Sequence, residues 1–173
     1  MSTLQDQIKD KIRQQKGEKR DLNLLYGHQD LMEQILKSIV SEYAGRVDYV
    51  ASPESLGFIL GSMAAVKLGV GFIPIRNKNL YGLEAKDGRT APYIDHRDLP
   101  RALQVRNGMI PAGSRILLVD DWVETAATIF ACTSLVEDAG ATVVGITSIG
   151  ASRNAKTEDL LKSGKLSCLV IAD

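Results

Sequence analysis

The chain is short of the features that mark membrane proteins, disulfide scaffolds and nucleic-acid binders. It has only two cysteines in 173 residues. Cys132 and Cys168 lie far apart inside apolar segments, so they read as buried thiols rather than a disulfide or a metal pair. No run approaches the ~20 apolar residues needed to span a bilayer. The opening residues, Met1 to Asp6, contain no apolar signal core. The expectation is a soluble, cytoplasmic protein without a membrane partner. An excess of one charge is also missing, since 21 Lys and Arg balance 21 Asp and Glu. That balance argues against broad nucleic-acid binding, which needs a basic surface. The one basic cluster, Lys9 to Arg20, is interleaved with Asp10, Gln14, Gln15 and Glu18, and fits a solvated helix face better than a phosphate-binding arm. No Gly-x-Gly-x-x-Gly follows an apolar run, so the dinucleotide-binding signature is absent.

What is present is alternation. Leu4, Ile8 and Ile12 form one stripe of a short helix over Leu4 to Gln15, followed by a polar link and the apolar patch Asp21 to Leu25. A stronger helix follows, with Asp30 as its cap and Leu31, Met32, Ile35, Leu36, Ile39, Val40 and Tyr43 on one face, ending at Gly45. Beyond it, strands are expected at Val47–Ala51, Val70–Ile75, Ile116–Val119, Thr142–Ile149 and Leu166–Ile171. Helices are expected at Gly57–Leu68, Thr128–Ala139 and Thr157–Ser163. Continuous apolar strands separated by helices predict an α/β fold: a mainly parallel twisted sheet with helices on both faces, which binds ligands at the strands' carboxyl ends. The length fits a single domain, 1–173, with residues 1–20 as an N-terminal helix or arm. Arg76 to Arg101 reads as a long polar connection, a mobile lid over a cleft or else a surface excursion, with a short extended piece at Ala102–Val105.

The richest segment is Arg115 to Phe130. A buried strand ends in Asp120 and Asp121, a turn follows, and a helix begins with Thr125 and Thr128 in its first turn. Free N–H groups and the positive helix end suit a phosphate, while paired carboxylates accept hydrogen bonds from sugar hydroxyls. The pattern suits a sugar phosphate. Adjacent aspartates after a strand are otherwise turn and cap residues.

This segment resembles the ribose-5-phosphate loop of type I phosphoribosyltransferases, and three others resemble the adenine type of that family in the same order. They are Arg20 to Leu25, Val47 to Gly61 and Val70 to Lys78. The resemblance implies the type I phosphoribosyltransferase fold with a mobile loop or hood. It implies transfer of 5-phosphoribosyl from phosphoribosyl diphosphate to a purine-type nucleobase, adenine first, with Mg²⁺ as cofactor, diphosphate released, and a homodimer. The alternative is a non-catalytic relative that binds a nucleotide or phosphoribosyl ligand for regulation. Carried onto this sequence, Asp120 and Asp121 face the ribose hydroxyls and the metal, and Glu124, Thr125, Ala126, Ala127 and Thr128 wrap the 5′-phosphate. Ser55, Arg76 and Lys78 meet the diphosphate, and Trp122 and Val123 meet the base, although Trp122 also reads as core.

Several positions depart from the family pattern. Ala126 and Ala127 stand where the family has two glycines, which is harmless unless either position needs positive φ. Glu124 stands where the family has a small residue, and a carboxylate there repels phosphate unless it turns away or meets a cation. Leu56 replaces an arginine. The family's loop acid aligns with Arg97, flanked by Asp95 and Asp98, and Asp98 is taken as the catalytic loop acid. His96 has no partner in the sequence and stays outside the catalytic set.

Overall fold

The computed structural model describes residues 2–12, 20–78, 84 and 87–173. The sheet has seven strands: β1 (Tyr49–Pro53), β2 (Gly71–Asn77), β3 (Gly88–Ile94), β4 (Pro100–Arg106), β5 (Arg115–Val123), β6 (Thr142–Ser152) and β7 (Leu166–Ala172). The helices are α1 (Leu4–Lys11), α2 (Asn23–Tyr26), α3 (Gln29–Val40), α4 (Gly57–Leu68), α5 (Ala127–Asp138) and α6 (Ala155–Lys162). Strand order is β3-β4-β2-β1-β5-β6-β7. β2, β1, β5, β6 and β7 run parallel, while β4 pairs antiparallel with both β2 and β3. The expected mainly parallel sheet is therefore present, extended at one edge by an antiparallel hairpin.

That hairpin occupies part of the long polar stretch from Arg76 to Arg101. Residues 88–94 pair with 100–106 from Gly88↔Arg106 to Ile94↔Pro100, so this part of the stretch is sheet rather than loop. Residues 79–83 and 85–86 of the stretch lie outside the described residues, as does the link over 13–19 with the expected end of α1.

Two apolar layers enclose the sheet. On one face α3 buries Leu31, Met32, Ile35, Leu36, Ile39 and Val40, the predicted stripe, against Leu60 and Ala64 of α4 and Val50, Leu117 and Val119 of the sheet. His28 rather than Asp30 caps that helix, and it closes through a 3₁₀ turn that buries Tyr43. On the other face Ile129, Cys132, Leu135 and Val136 of α5 cover Ala51, Ile73, Ile116, Leu118 and Leu103. Cys132 is buried and Cys168 half-buried, both free; burial pushes the Cys132 thiol well above its usual range, and the charge of Asp120 adds to this. Burying about 41 apolar side chains of this kind is what stabilises a chain of this size.

The strands that matter for function run longer than their apolar cores. β5 continues through both aspartates to Val123, and β6 to Ser152, because their ladder extends through Asp120↔Ser148 and Trp122↔Gly150. The acid pair thus sits inside the second half of the strand, held by β6, rather than in a turn after it. β1 lies between β2, which follows it in sequence, and β5, so the strand order reverses between β1 and β5. Open α/β sheets bind ligands at the carboxyl side of such a reversal.

Candidate active site

A cavity of about 800 Å³ opens at that reversal. Three sides of it can be built from sequence upward. The floor is the end of β5, where Asp120 is buried and Asp121 half-buried. Asp120 Oδ1 accepts from the Asp121 N–H at 2.9 Å, which fixes the first carboxylate against its own backbone. Gly57, the first residue of α4, comes so close that a Cβ there would lie 2.9 Å from Asp120 Oδ1. Tyr26 also reports on the pair: burial, then Asp121, then Asp120 raise its phenol, whose buried hydroxyl has no hydrogen-bond partner among the described residues.

The second side is the turn from β5 into α5. Ala126 is the N-cap of α5 and adopts φ 61°, ψ −1°, the left-handed conformation. The position does require positive φ, as the sequence left open, and an alanine there carries roughly 1–2 kcal/mol of steric strain that glycine would not. The cap residue itself offers no side-chain acceptor, while Thr125 Oγ1 accepts from the Ala127 N–H at 3.5 Å. The other first-turn N–H groups have no intrahelical acceptor and offer a positive end beside Thr125 and Thr128.

The third side is formed by Pro53 to Leu56 after β1 together with Asn77 and Lys78 at the end of β2. The Glu54–Ser55 peptide bond there is cis. The hairpin β3–β4 closes the mouth with Tyr93, Asp95, His96, Arg97 and Arg101. Burial raises the Tyr93 phenol, an effect partly offset by its hydrogen bond with the Thr128 side chain. For Asp95, burial acts upward but is outweighed by the Leu99 and Arg97 N–H groups and by Arg101, which bring it down to about 2.

Of the predicted residues, Ser55, Lys78, Asp120, Asp121, Trp122, Val123, Glu124, Thr125, Ala126 and Thr128 surround this one cavity. Arg76, Ala127 and Asp98 do not line it. Arg76 Nη1 lies 3.4 Å from Glu54 Oε1, with the guanidinium 5.5 Å from the Phe58 ring centre. Ala127 opens the α5 helix, and Asp98 sits at φ 58° in the hairpin turn, which leaves Asp95 as the hairpin acid on the wall.

Glu124 does not face the cavity as a lone charge. Arg20 Nη1 donates to its Oε1 at 3.1 Å and to Ser152 Oγ at 2.7 Å. Ser152 Oγ donates to Glu124 Oε2 through a short contact, and Asn154 Nδ2 donates to the Glu124 carbonyl at 2.7 Å. Trp122 is mostly core: its ring packs on Gly150, Nε1 donates to Ser152 Oγ at 2.9 Å, and the Arg20 guanidinium lies 4.6 Å from the ring centre. Arg20 and Ser152 are the residues that sequence reasoning missed at this site. Arg20 was visible only as part of a resembling segment, yet an acid at position 124 already called for a cation.

Among the described residues no three His, Cys, Asp or Glu side chains gather to hold a metal ion. Asp120 and Asp121 offer two carboxylates, a donor set that fits Mg²⁺ shared with substrate phosphates and water. Nor is any described helix long and apolar enough to cross a membrane.

A reversal-point cavity with an acid pair on the strand and a helix start beside it has the chemistry that suits a phosphorylated sugar, and residues 23–168 match the phosphoribosyl transferase domain. The chain belongs to that family. Within it, the similarity runs to adenine phosphoribosyltransferases: that of Maricaulis maris (strain MCS10) is 35% identical over 131 residues, 75% of this chain and 73% of that protein. The enzyme of Alkaliphilus oremlandii (strain OhILAs) is 28% identical over 171 residues, covering 94% of this chain and 96% of its own length. The crystal structure of adenine phosphoribosyltransferase from Thermoanaerobacter pseudethanolicus superimposes with a TM-score of 0.85 at 26% identity, covering 98% of this chain and 100% of the other.

Proposed function

We infer that the protein is a phosphoribosyltransferase of the adenine type, a pentosyltransferase of purine salvage. It transfers 5-phosphoribosyl from phosphoribosyl diphosphate to adenine and releases diphosphate. The observation that carries this reading is the acid pair of β5 placed beside the start of α5 in one cavity.

In this reading Asp120 and Asp121 accept hydrogen bonds from the ribose hydroxyls and set negative charge near the sugar. As the bond from C1′ to the diphosphate oxygen breaks, positive charge grows on the ring, and fixed carboxylates stabilise it most at that moment. The N–H groups and hydroxyls of Thr125 to Thr128 hold the 5′-phosphate, so the sugar cannot turn as the leaving group departs. Lys78 and the Glu54–Ser55 backbone meet the diphosphate. A nucleobase nitrogen then bonds to C1′ and gives up its proton to the departing diphosphate or to water. Asp120 and Asp121 would hold Mg²⁺, which would supply charge neutralisation for the leaving diphosphate. Val123 and the rim of Trp122 lie where a base would approach. The hairpin residues Tyr93 to Arg101 shield the reacting centre from water. A cytoplasmic homodimer completes the reading and is checked by light scattering.

The experiment is incubation with phosphoribosyl diphosphate, Mg²⁺ and adenine while diphosphate release is followed. Turnover that disappears in the double variant Asp120→Asn, Asp121→Asn supports the enzyme. Binding without release across a panel of nucleobases would favour the regulatory relative, a reading that Arg97 in place of the loop acid keeps in view.

A further inference from the structure

Residue 124 is held at three points. Its two carboxylate oxygens accept from Arg20 and Ser152, and its carbonyl accepts from Asn154, itself the N-cap of α6. The serine leaves no freedom in this arrangement. A hydroxyl has one proton and two lone pairs; Trp122 Nε1 and Arg20 Nη1 donate to the oxygen, so its proton is committed to Glu124. Arg20 is almost wholly enclosed, with 5% of its side chain exposed against 27% for Glu124, and its Nη2 donates to the Asp173 carbonyl at 3.2 Å. Two residues further on, Ala126 holds the left-handed backbone at the start of α5 and lines the cavity.

We propose that Arg20, Glu124 and Ser152 form a lock on the phosphate loop, setting affinity for the 5′-phosphate without touching it. An alanine at position 126 is strained where a glycine would not be, so the turn needs a restraint from outside itself. The lock supplies it from the ends of β6 and β7 and from the chain before α2. It also cancels the charge that a carboxylate would otherwise aim at the phosphate. Arg20, Glu124 and Ser152 are thus positioning residues, and the proposal rests on the phosphoribosyl reading above.

The lock and simple repulsion predict opposite signs for Glu124→Ala. If the carboxylate merely repelled phosphate, removing it would tighten binding. If it locks the loop, removal weakens binding of ribose 5-phosphate by about tenfold. The test is titration calorimetry with ribose 5-phosphate on the wild type, Arg20→Ala, Glu124→Ala, Ser152→Ala and the double variant Arg20→Ala, Glu124→Ala, each verified by a cooperative thermal melt. The double variant is expected to lose little more than the weaker single one, because both break the same unit. In turnover, KM for phosphoribosyl diphosphate should rise more than kcat falls, a split that general loosening would not give. Trp122, the sole tryptophan, should shift its emission in Ser152→Ala as Nε1 loses its acceptor. Glu124→Gln keeps one oxygen acceptor and should fall between wild type and Glu124→Ala; it carries the test if a harsher variant fails to fold. Unchanged or tighter ribose 5-phosphate binding in folded Glu124→Ala and Glu124→Gln overturns the lock. A wild type that does not bind ribose 5-phosphate overturns the phosphoribosyl reading, and the lock with it.

Discussion

β5 carries an ion pair near each end, and the two are built differently. At its start Arg115 grips Asp48 through Nη2 at 2.8 Å and Nε at 3.2 Å, while the Arg115 backbone N–H adds a third bond at 2.8 Å. Just past its end Arg20 reaches Glu124 through one nitrogen at 3.1 Å. By geometry alone the first pair is the stronger. Yet its side chains are 48% and 39% exposed, where water replaces lost partners readily, against 5% and 27% for the second. Removing Arg20 would leave Glu124 short of a donor and expose one face of Trp122. Breaking a pair of this kind is costly because of what remains unpaired. The difference locates function at the end where the weaker-looking contact joins more groups.

The largest expected effect lies at that end and concerns chemistry. Asp120→Asn with Asp121→Asn should lower the rate of diphosphate release by on the order of 10²–10³-fold or more, with little change in thermal midpoint. A loss of folding rather than rate would show that the acids are structural. Arg20→Ala comes next, with an expected loss of about 2–3 kcal/mol in chemical denaturation. Ala126→Gly should go the other way, gaining about 0.5–1 kcal/mol as the left-handed strain is relieved, offset in part by the greater freedom of unfolded glycine. Arg115→Ala should give the smallest fall in thermal midpoint and leave ribose 5-phosphate affinity unchanged. Its pH dependence sharpens the contrast. Arg115 holds Asp48 at about 2, below the ordinary value of 3.8, so the pair stabilises the fold above pH 3.8 and that stability is lost as pH falls through about 2. The difference in midpoint between wild type and Arg115→Ala should therefore narrow across that window. A gap that persists to pH 2 would remove the Asp48 charge as its cause.

Much of the frame was legible in advance because burial writes itself as pattern. α4 runs from Gly57 to Leu68 as expected, and the buried face of α3 is the apolar stripe read from its spacing. Strand ends moved by up to four residues where polar residues pair in the ladder, as Asp120 with Ser148. The hairpin was missed for a physical reason. β3 is an edge strand with only Ala91 buried, so it has no apolar alternation to read. The acid pair and the threonines stood out because their chemistry is local to one segment. The Arg20 partnership did not, since 104 residues separate it from Glu124 and only the fold brings them together. Ser152 was hidden likewise, as one of several hydroxyls along β6 with nothing local to single it out.

Gly57 has no functional group, yet it bounds the space in which Asp120 can stand. With a methyl group added there, Asp120 Oδ1 and the ring of Pro53 would both be crowded, and the carboxylate is the part able to yield. The aim of the acid is thus gauged by the backbone of a neighbouring helix. A lesion in sugar recognition can arise from a residue that would never meet the sugar.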